Sequence, residues 1–354
     1  MAASLFEPVA LGPLALKNRV IRAAAFEGMA DGHLVTPALI HYHRQVAAGG
    51  VGLSTVAYAA VDRSGLSFPH QLWVRPEAME GLRALAAAIH GAGAKASIQL
   101  GHCGNMAKRS VAGERALAPS ARLNLYGPVW PRAMTDADIA RVVSRFGDAV
   151  ALAIDAGFDA VELHAGHGYL ISQFLSPLTN RRTDAYGGPL EGRLRFLREV
   201  MRAVRRAAGS RGAVLVKTNL HDGMRGGVTL EEGIGVARAL EQEGADALVL
   251  TGGFVSRAPM AIMRGAMPMA EMTRRMQPWW LKGFARAFGG ALVPEVPYQD
   301  HYFLEEASAV RAAVRLPLVY VGGVASQASA DAVLARGFDA IAMATARSLR
   351  ASFL

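Results

Sequence analysis

Cysteine is almost missing from this 354-residue chain: Cys103 stands alone. A single thiol forms no internal disulfide and no cysteine-ligated iron–sulfur cluster, which excludes a disulfide-stapled scaffold and fits a reducing, cytoplasmic setting. Two readings of Cys103 stay open, a redox-active site thiol or a small residue packed behind a strand, and the second is the commoner fate of free cysteine. Long apolar runs are missing too. No stretch of about 20 apolar residues occurs, so no membrane-spanning helix is expected. The opening Met-Ala-Ala-Ser-Leu-Phe-Glu-Pro has no basic segment followed by an apolar core, and no secretory signal is expected from it. Basic residues exceed acidic ones by nine, but the excess is scattered and nearly all arginine. Without a Lys/Arg block interleaved with aromatics, a nucleic-acid partner is not expected, while small anionic ligands remain compatible with the charge.

What is present is apolar material in regular portions. Hydrophobic residues make up 52% of the chain and charged ones 19%, which supplies a sizeable core and argues against disorder. Short β-rich apolar runs fall at 19–25, 51–57, 95–100, 159–164, 213–219, 246–251, 317–322 and 339–344. Helical patterns fall at 37–48, 77–91, 135–156, 189–208, 229–243, 303–314 and 327–336, and Thr135 with Asp138 and Thr229 with Glu232 have capping-box spacing. Eight strands with helical segments between them predict an α/β fold, a (β/α)8 or TIM barrel. Segment 9–17, with Gly12-Pro13 in its middle, predicts an N-terminal β-hairpin that caps the lower end. The connections after strands three and six, 101–134 and 252–302, are too long for simple links. In a barrel such loops lie on the catalytic face, and here they carry Trp130, Trp279, Trp280, Phe284 and Phe288. No composition break divides residues 1–354, so one domain is expected.

The densest chemistry is His164-Ala-Gly-His167-Gly-Tyr169, directly after the fourth strand. Polar, proton-carrying side chains at a strand's end can hold an oxygen and deliver a proton. Two imidazoles can also bind a metal, but neither Cys103 nor a His-X-His elsewhere is placed to help, so no metal site is expected. Buried, internally satisfied polar residues remain a third reading. Gln99 ends strand three, and Lys217 is an isolated cation in Val-Leu-Val-Lys217-Thr-Asn. Lys217 reads as a salt-bridged lysine, a Schiff-base amine, or a fixed charge beside an anionic intermediate. Gly322-Gly323 after strand seven and Ala346-Arg347 after strand eight sit where barrels commonly bind phosphate, although a glycine pair alone also serves as a tight turn.

Taken together the chain resembles the Old Yellow Enzyme family of FMN-dependent ene-reductases and NADH:flavin oxidoreductases. The resemblance rests on Leu16-Lys-Asn-Arg-Val, Gly49-Gly-Val-Gly-Leu, Ile98-Gln99-Leu-Gly-His102, the block from His164 through Asn180-Arg-Arg-Thr-Asp184 to Gly188, and Val319-Tyr-Val-Gly-Gly323. It implies FMN as cofactor and NADH or NADPH as hydride donor in a ping-pong cycle. The implied substrate is a small electron-poor alkene, and a homodimer or higher homo-oligomer is the implied state. His164 and His167 match the pair that binds the substrate's activating oxygen, and Tyr169 matches the proton donor to the α-carbon. Lys217 takes the place of the basic residue near flavin N1 and O2, and Gln99 that of the side chain reading the pyrimidine edge. Ala23, Ala24, Ala25, Ala57 and Tyr58 fall where the family's backbone lines the isoalloxazine, and Gly322, Gly323, Ala346 and Arg347 fall at the phosphate. Phe26 stands where the family often carries Thr or Cys, so it replaces a polar flavin contact and joins the histidines and Trp130 as a candidate substrate residue. A relative doing a specialised desaturation or isomerisation, a flavin-free Schiff-base aldolase on Lys217, and a flavin-binding barrel without turnover are the competing readings.

Overall fold

The computed structural model describes residues 4–124, 129–256, 262, 264 and 295–344. Eight parallel strands close into a barrel: β1 (Val20–Arg22), β2 (Leu53–Ala60), β3 (Lys95–Gly101), β4 (Ala160–Ala165), β5 (Ala213–Asn219), β6 (Ala247–Thr251), β7 (Leu318–Tyr320) and β8 (Ala340–Met343). The last pairs with the first through Ile341 and Val20, which completes the circle. Around it lie α1 (Pro37–Ala48), α2 (Met79–Gly91), α3 (Asp136–Asp155), α4 (Leu190–Ala208), α5 (Leu230–Gln242), α6 (Leu304–Ala313) and α7 (Gln327–Leu334). Thr135 and Thr229 start α3 and α5 in full capping boxes with Asp138 and Glu232, each hydroxyl taking an otherwise orphaned helix N–H. No helix among the described residues is long and apolar enough to cross a membrane.

Alternation along the strands sorts side chains into two cores. Val56, Ile98, Leu100, Val161, Leu163, Val214, Val216, Leu248, Leu250, Leu318 and Ile341 face outward and pack under the helices. Leu53, Ala160, Leu215, Val249, Val319 and Ala342 face inward, at the lower end of the barrel. The predicted hairpin, Val9–Leu11 paired with Leu14–Leu16, inserts Leu11, Leu14 and Leu16 into that inner cluster. Its tip needs glycine: Gly12 has φ +60, and a Cβ there would lie 2.5 Å from a carboxylate oxygen of Asp246.

The long connection after β3 is not featureless. It folds as a turn of 3-10 helix (Gly104–Met106), a short helix (Arg109–Ala112) and a two-residue parallel ladder, Leu117–Ala118 against Arg132–Ala133. Of the connection after β6, residues 257–261, 263 and 265–294 lie outside the described residues, and with them Trp279, Trp280, Phe284 and Phe288. Ala346 and Arg347, the proposed phosphate residues after β8, also lie outside them.

Candidate active site

Above the apolar plug the inward positions turn polar. Gln99 on β3, Glu162 and His164 on β4, Lys217 and Asn219 on β5 and Thr251 on β6 are all buried side chains of one interior face. Register sets their neighbours: Gln99 is level with Glu162, His164 with Lys217, and Asn219 with Thr251. Glu162 ties this layer together. Its Oε1 accepts a hydrogen bond from Gln99 Nε2 at 2.6 Å and an ion pair from Lys217 Nζ at 2.9 Å. Lys217 is therefore the salt-bridged lysine of the three readings. An amine committed to a buried carboxylate is badly placed to attack a carbonyl as a Schiff-base nucleophile.

After β4 the chain makes a tight turn that presents the motif residues. His167 has φ +57, a strained left-handed conformation for a residue with a Cβ. Three contacts hold it there: its backbone N–H donates to Asn219 Oδ1 at 3.0 Å, its carbonyl accepts from Val255 N at 3.0 Å, and its Nε2 meets Thr251 Oγ1 at 2.9 Å. The glycines on either side are required by close approach. A Cβ at Gly166 would lie 2.7 Å from Asn219 Oδ1, and one at Gly168 (φ +78) would lie 2.3 Å from the Phe254 ring. Gln173, on the short helix Leu170–Leu175, donates to Gly168 O at 2.7 Å and to Cys103 O at 3.1 Å, locking the turn to the loop after β3.

Four rings meet at this turn. The His164 centroid lies 4.3 Å from that of Tyr169 and 5.1 Å from that of His167, and Tyr58 lies 4.8 Å from Tyr169. The β2–β3 ladder slips between Val56 and Ala59, and at this irregularity Tyr58 turns its ring into the site, where its hydroxyl donates to Gly65 O at 2.8 Å. The ring fits because residue 101 is glycine, whose Cβ would stand 2.3 Å from Tyr58 Cε2. Tyr58 thus contributes a side chain to the cluster, where the sequence pointed to its backbone.

Both imidazoles are neutral donors and acceptors at neutral pH. Burial, with the Lys217 charge next in effect, pulls His167 down to about 3; burial, His167 and Lys217 hold His164 well below the usual histidine range. His164 Nδ1 is buried and has no hydrogen-bond partner in the protein. Buried polar atoms almost always find one, so this nitrogen points to a ligand oxygen or an ordered water. On His167, Thr251 occupies Nε2.

Of the other predicted residues, Ala23 and Ala57 are buried beside the barrel mouth and Ala24 and Ala25 are half-buried. Phe26 is 52% exposed and packs at a tilt against Phe68, with ring centroids 5.1 Å apart. Trp130 is 57% exposed, and the ring contacts joining Tyr58, His164, His167 and Tyr169 do not include it. Gly322 (φ +140) and Gly323 (φ +68) follow β7 in backbone shapes that favour glycine. A Cβ on Gly323 would lie 2.7 Å from both Gln299 O and His301 N, so chain packing alone already demands glycine there. Cys103 is buried with its thiol pushed far above the ordinary range by desolvation, and it is the packed residue, not an exposed thiol. No cluster of three potential metal ligands occurs among the described residues.

Several contributors escaped the sequence reading. Beside Glu162 there is a second buried centre, where Glu27 Oε1 takes Arg22 at 2.7 Å, His43 Nε2 at 3.1 Å and the Ala57 N–H at 3.0 Å. A third is a hydrogen-bond chain in which Arg141 donates to Asp62, Ser64 donates to the same carboxylate, and His102 Nε2 meets Ser64 Oγ at 2.9 Å. The second half of the long motif proves to be scaffold. Asn180 Nδ2 donates to Phe174 O and Tyr186 O, and Arg182 Nη1 donates to Pro119 O and Met134 O, fastening the segment to the loop after β3.

A barrel plugged below and lined above the plug by amide, carboxylate, ammonium and neutral imidazole groups, with an unpartnered histidine nitrogen, suits a planar ligand rich in nitrogen and oxygen. Residues 4–277 match the model of the NADH:flavin oxidoreductase / NADH oxidase family. A 4,4'-dithiodibutanoate disulfide reductase of Rhodococcus erythropolis is 40% identical over 344 residues, covering 97% of this chain and 85% of the relative. An NADPH dehydrogenase of Geobacillus sp. is 36% identical over 280 residues, 78% of this chain and 81% of the relative. Among solved structures, an Old Yellow Enzyme homologue from Zymomonas mobilis superposes with a TM-score of 0.76 at 26% identity, over 97% of this chain and 88% of that one. The chain belongs to the NADH:flavin oxidoreductase, or Old Yellow Enzyme, family, whose members work with a flavin and NAD(P)H.

Proposed function

We propose that this chain is an FMN-dependent reductase that uses NADH or NADPH to reduce the activated C=C bond of an α,β-unsaturated carbonyl compound. The observation that carries the reading is the buried, unpartnered His164 Nδ1 beside His167 and Tyr169, with both imidazoles held neutral. Neutral N–H groups can hold a carbonyl oxygen and stabilise the negative charge that grows on it without first losing a proton; preorganised donors of this kind contribute about 3–4 kcal/mol in other enzymes. Tyr169 supplies the proton to the α-carbon. Gln99 and Lys217 would hold the pyrimidine edge of FMN, Ala23, Ala24, Ala25, Ala57 and Tyr58 its ring, and Gly322, Gly323, Ala346 and Arg347 its phosphate. When bound, FMN supplies the two-electron chemistry that no side chain here can.

The kinship with a disulfide reductase supports a second substrate class. A disulfide taking up two electrons and two protons becomes two thiols, and reductases that relay electrons through cysteine need a reactive thiol pair. With Cys103 alone, buried and held protonated, the residues suit direct reduction at the site, Tyr169 supplying a proton to a departing thiolate.

Anaerobic titration of the purified yellow protein with NADH and with NADPH, followed by enones, enals and a linear dicarboxylic disulfide, tests both classes. Tyr169→Phe should leave flavin reduction intact and slow re-oxidation by an enone by about 100-fold or more. His164→Ala should weaken phenol and enone binding together. Equal slowing of both half-reactions by Tyr169→Phe would remove Tyr169 from the proton-donor role.

A further inference from the structure

The proposed cofactor site contains a carboxylate that neither the family resemblance nor the substrate chemistry calls on. Glu162 is a side chain only 2% exposed, inward on β4, two residues before His164. It is level with Gln99 on one side, and Lys217 reaches it from the other. One oxygen, Oε1, accepts from both at 2.6 and 2.9 Å. A carboxylate this deep costs several kcal/mol to desolvate and persists only with a partner of opposite charge. Its presence changes what Lys217 can do. The two side chains assigned to the flavin's pyrimidine edge are both tethered to Glu162, and the three together carry no net charge.

We propose that Glu162 is a positioning residue that seats Gln99 and Lys217 and offsets the lysine's charge, so that the relative affinity for reduced and oxidised FMN is set by the ion pair and not by an isolated cation. The inference rests on the FMN reading above. Reduction adds negative charge to the flavin. A free ammonium favours the reduced form strongly; one already paired with a carboxylate favours it less. The lysine's field is felt at this depth, since it helps lower the proton affinity of both His164 and His167.

Dye-equilibrated anaerobic titration of wild type, Glu162→Gln, Lys217→Met and the double variant decides the matter, with FMN dissociation constants measured in both redox states. Wild-type protein that takes up no FMN overturns the flavin reading itself, and this is seen before any variant is made. With flavin bound, Glu162→Gln should favour reduced over oxidised FMN by about tenfold relative to wild type, a rise of about 30 mV for a two-electron couple. Lys217→Met should move the potential down. An unchanged or lower potential in Glu162→Gln overturns the proposal. If Glu162→Gln does not fold, the double variant, which removes both buried charges at once, is compared with Lys217→Met. A potential higher in the double variant supports a charge effect of Glu162, and equal potentials reduce its role to packing and overturn the proposal.

Discussion

Lowering the pH from about 7 to about 4.5 should strip stability from this protein through its histidines before most of its carboxylates titrate. Burial holds His102 down to about 4 and His167 down to about 3, while an unfolded chain protonates both near 6.5. The folded state therefore refuses protons that the unfolded state accepts. Stability is fully present above about 6.5 and is lost as pH falls toward the folded values. Each such histidine removes about 1.4 kcal/mol per pH unit inside that window, so the two together remove about 5 kcal/mol over two units. Burial lowers His43 and His164 as well, and they add in the same direction. A loss of that size matches the low end of a typical folding free energy of about 5–15 kcal/mol. Asp62, Asp159 and Asp184, all held below the usual carboxylate range, add their losses only further down. Asp222, raised by burial, works in the opposite sense. Urea unfolding of the apoprotein, followed by tryptophan fluorescence at half-unit pH steps, gives the slope directly. His102→Asn keeps an acceptor for the Gly104 N–H but cannot titrate, and it should flatten the slope by about one proton's worth. An unfolding free energy that stays level between pH 7 and 4.5 would refute the reasoning.

Two further predictions concern single side chains. Gly168→Ala should lower the melting temperature and cost about 1–3 kcal/mol or more, because the new methyl meets the Phe254 ring in a left-handed backbone; an unchanged melting temperature would contradict the turn. Cys103→Ala should leave any disulfide reduction unchanged in kcat/KM, and a loss would contradict the reading of Cys103 as a packed, unreactive residue.

Most of the barrel was legible because its strands are buried on both faces and read as short continuous apolar runs. The run at 213–219 coincides with β5, and 37–48 with α1. The misplacements have local causes. β1 ends at Arg22, whose guanidinium turns outward to Glu27 and Thr55 O, so Ala23-Ala24-Ala25 leaves the ladder although its composition does not change. β2 runs past Ala57 to Ala60 because the irregularity at 57–58 lets pairing resume. In the motif, residue type together with its place directly after the fourth strand singles out His164, His167 and Tyr169 as candidates. Glu162 reads as one letter of an apolar strand, although strand alternation places it on the face of His164, and that parity is the available signal. Glu27 and the Asp62–Ser64–His102 chain had none, since the contacts that close them, Glu27 to His43, Ser64 to His102 and Asp62 to Arg141, span 16 to 79 residues of sequence.

The hairpin that carries Leu11, Leu14 and Leu16 into the foot of the barrel has a kinetic consequence. By filling the lower end it makes the interior a cul-de-sac, so whatever reaches the groups above the plug must enter and leave by the same door. A dinucleotide donor and an electron acceptor that both need that interior cannot queue from opposite sides. Each obstructs the other, and turnover should pass through a maximum as either is raised, with its position set by their competition for one entrance.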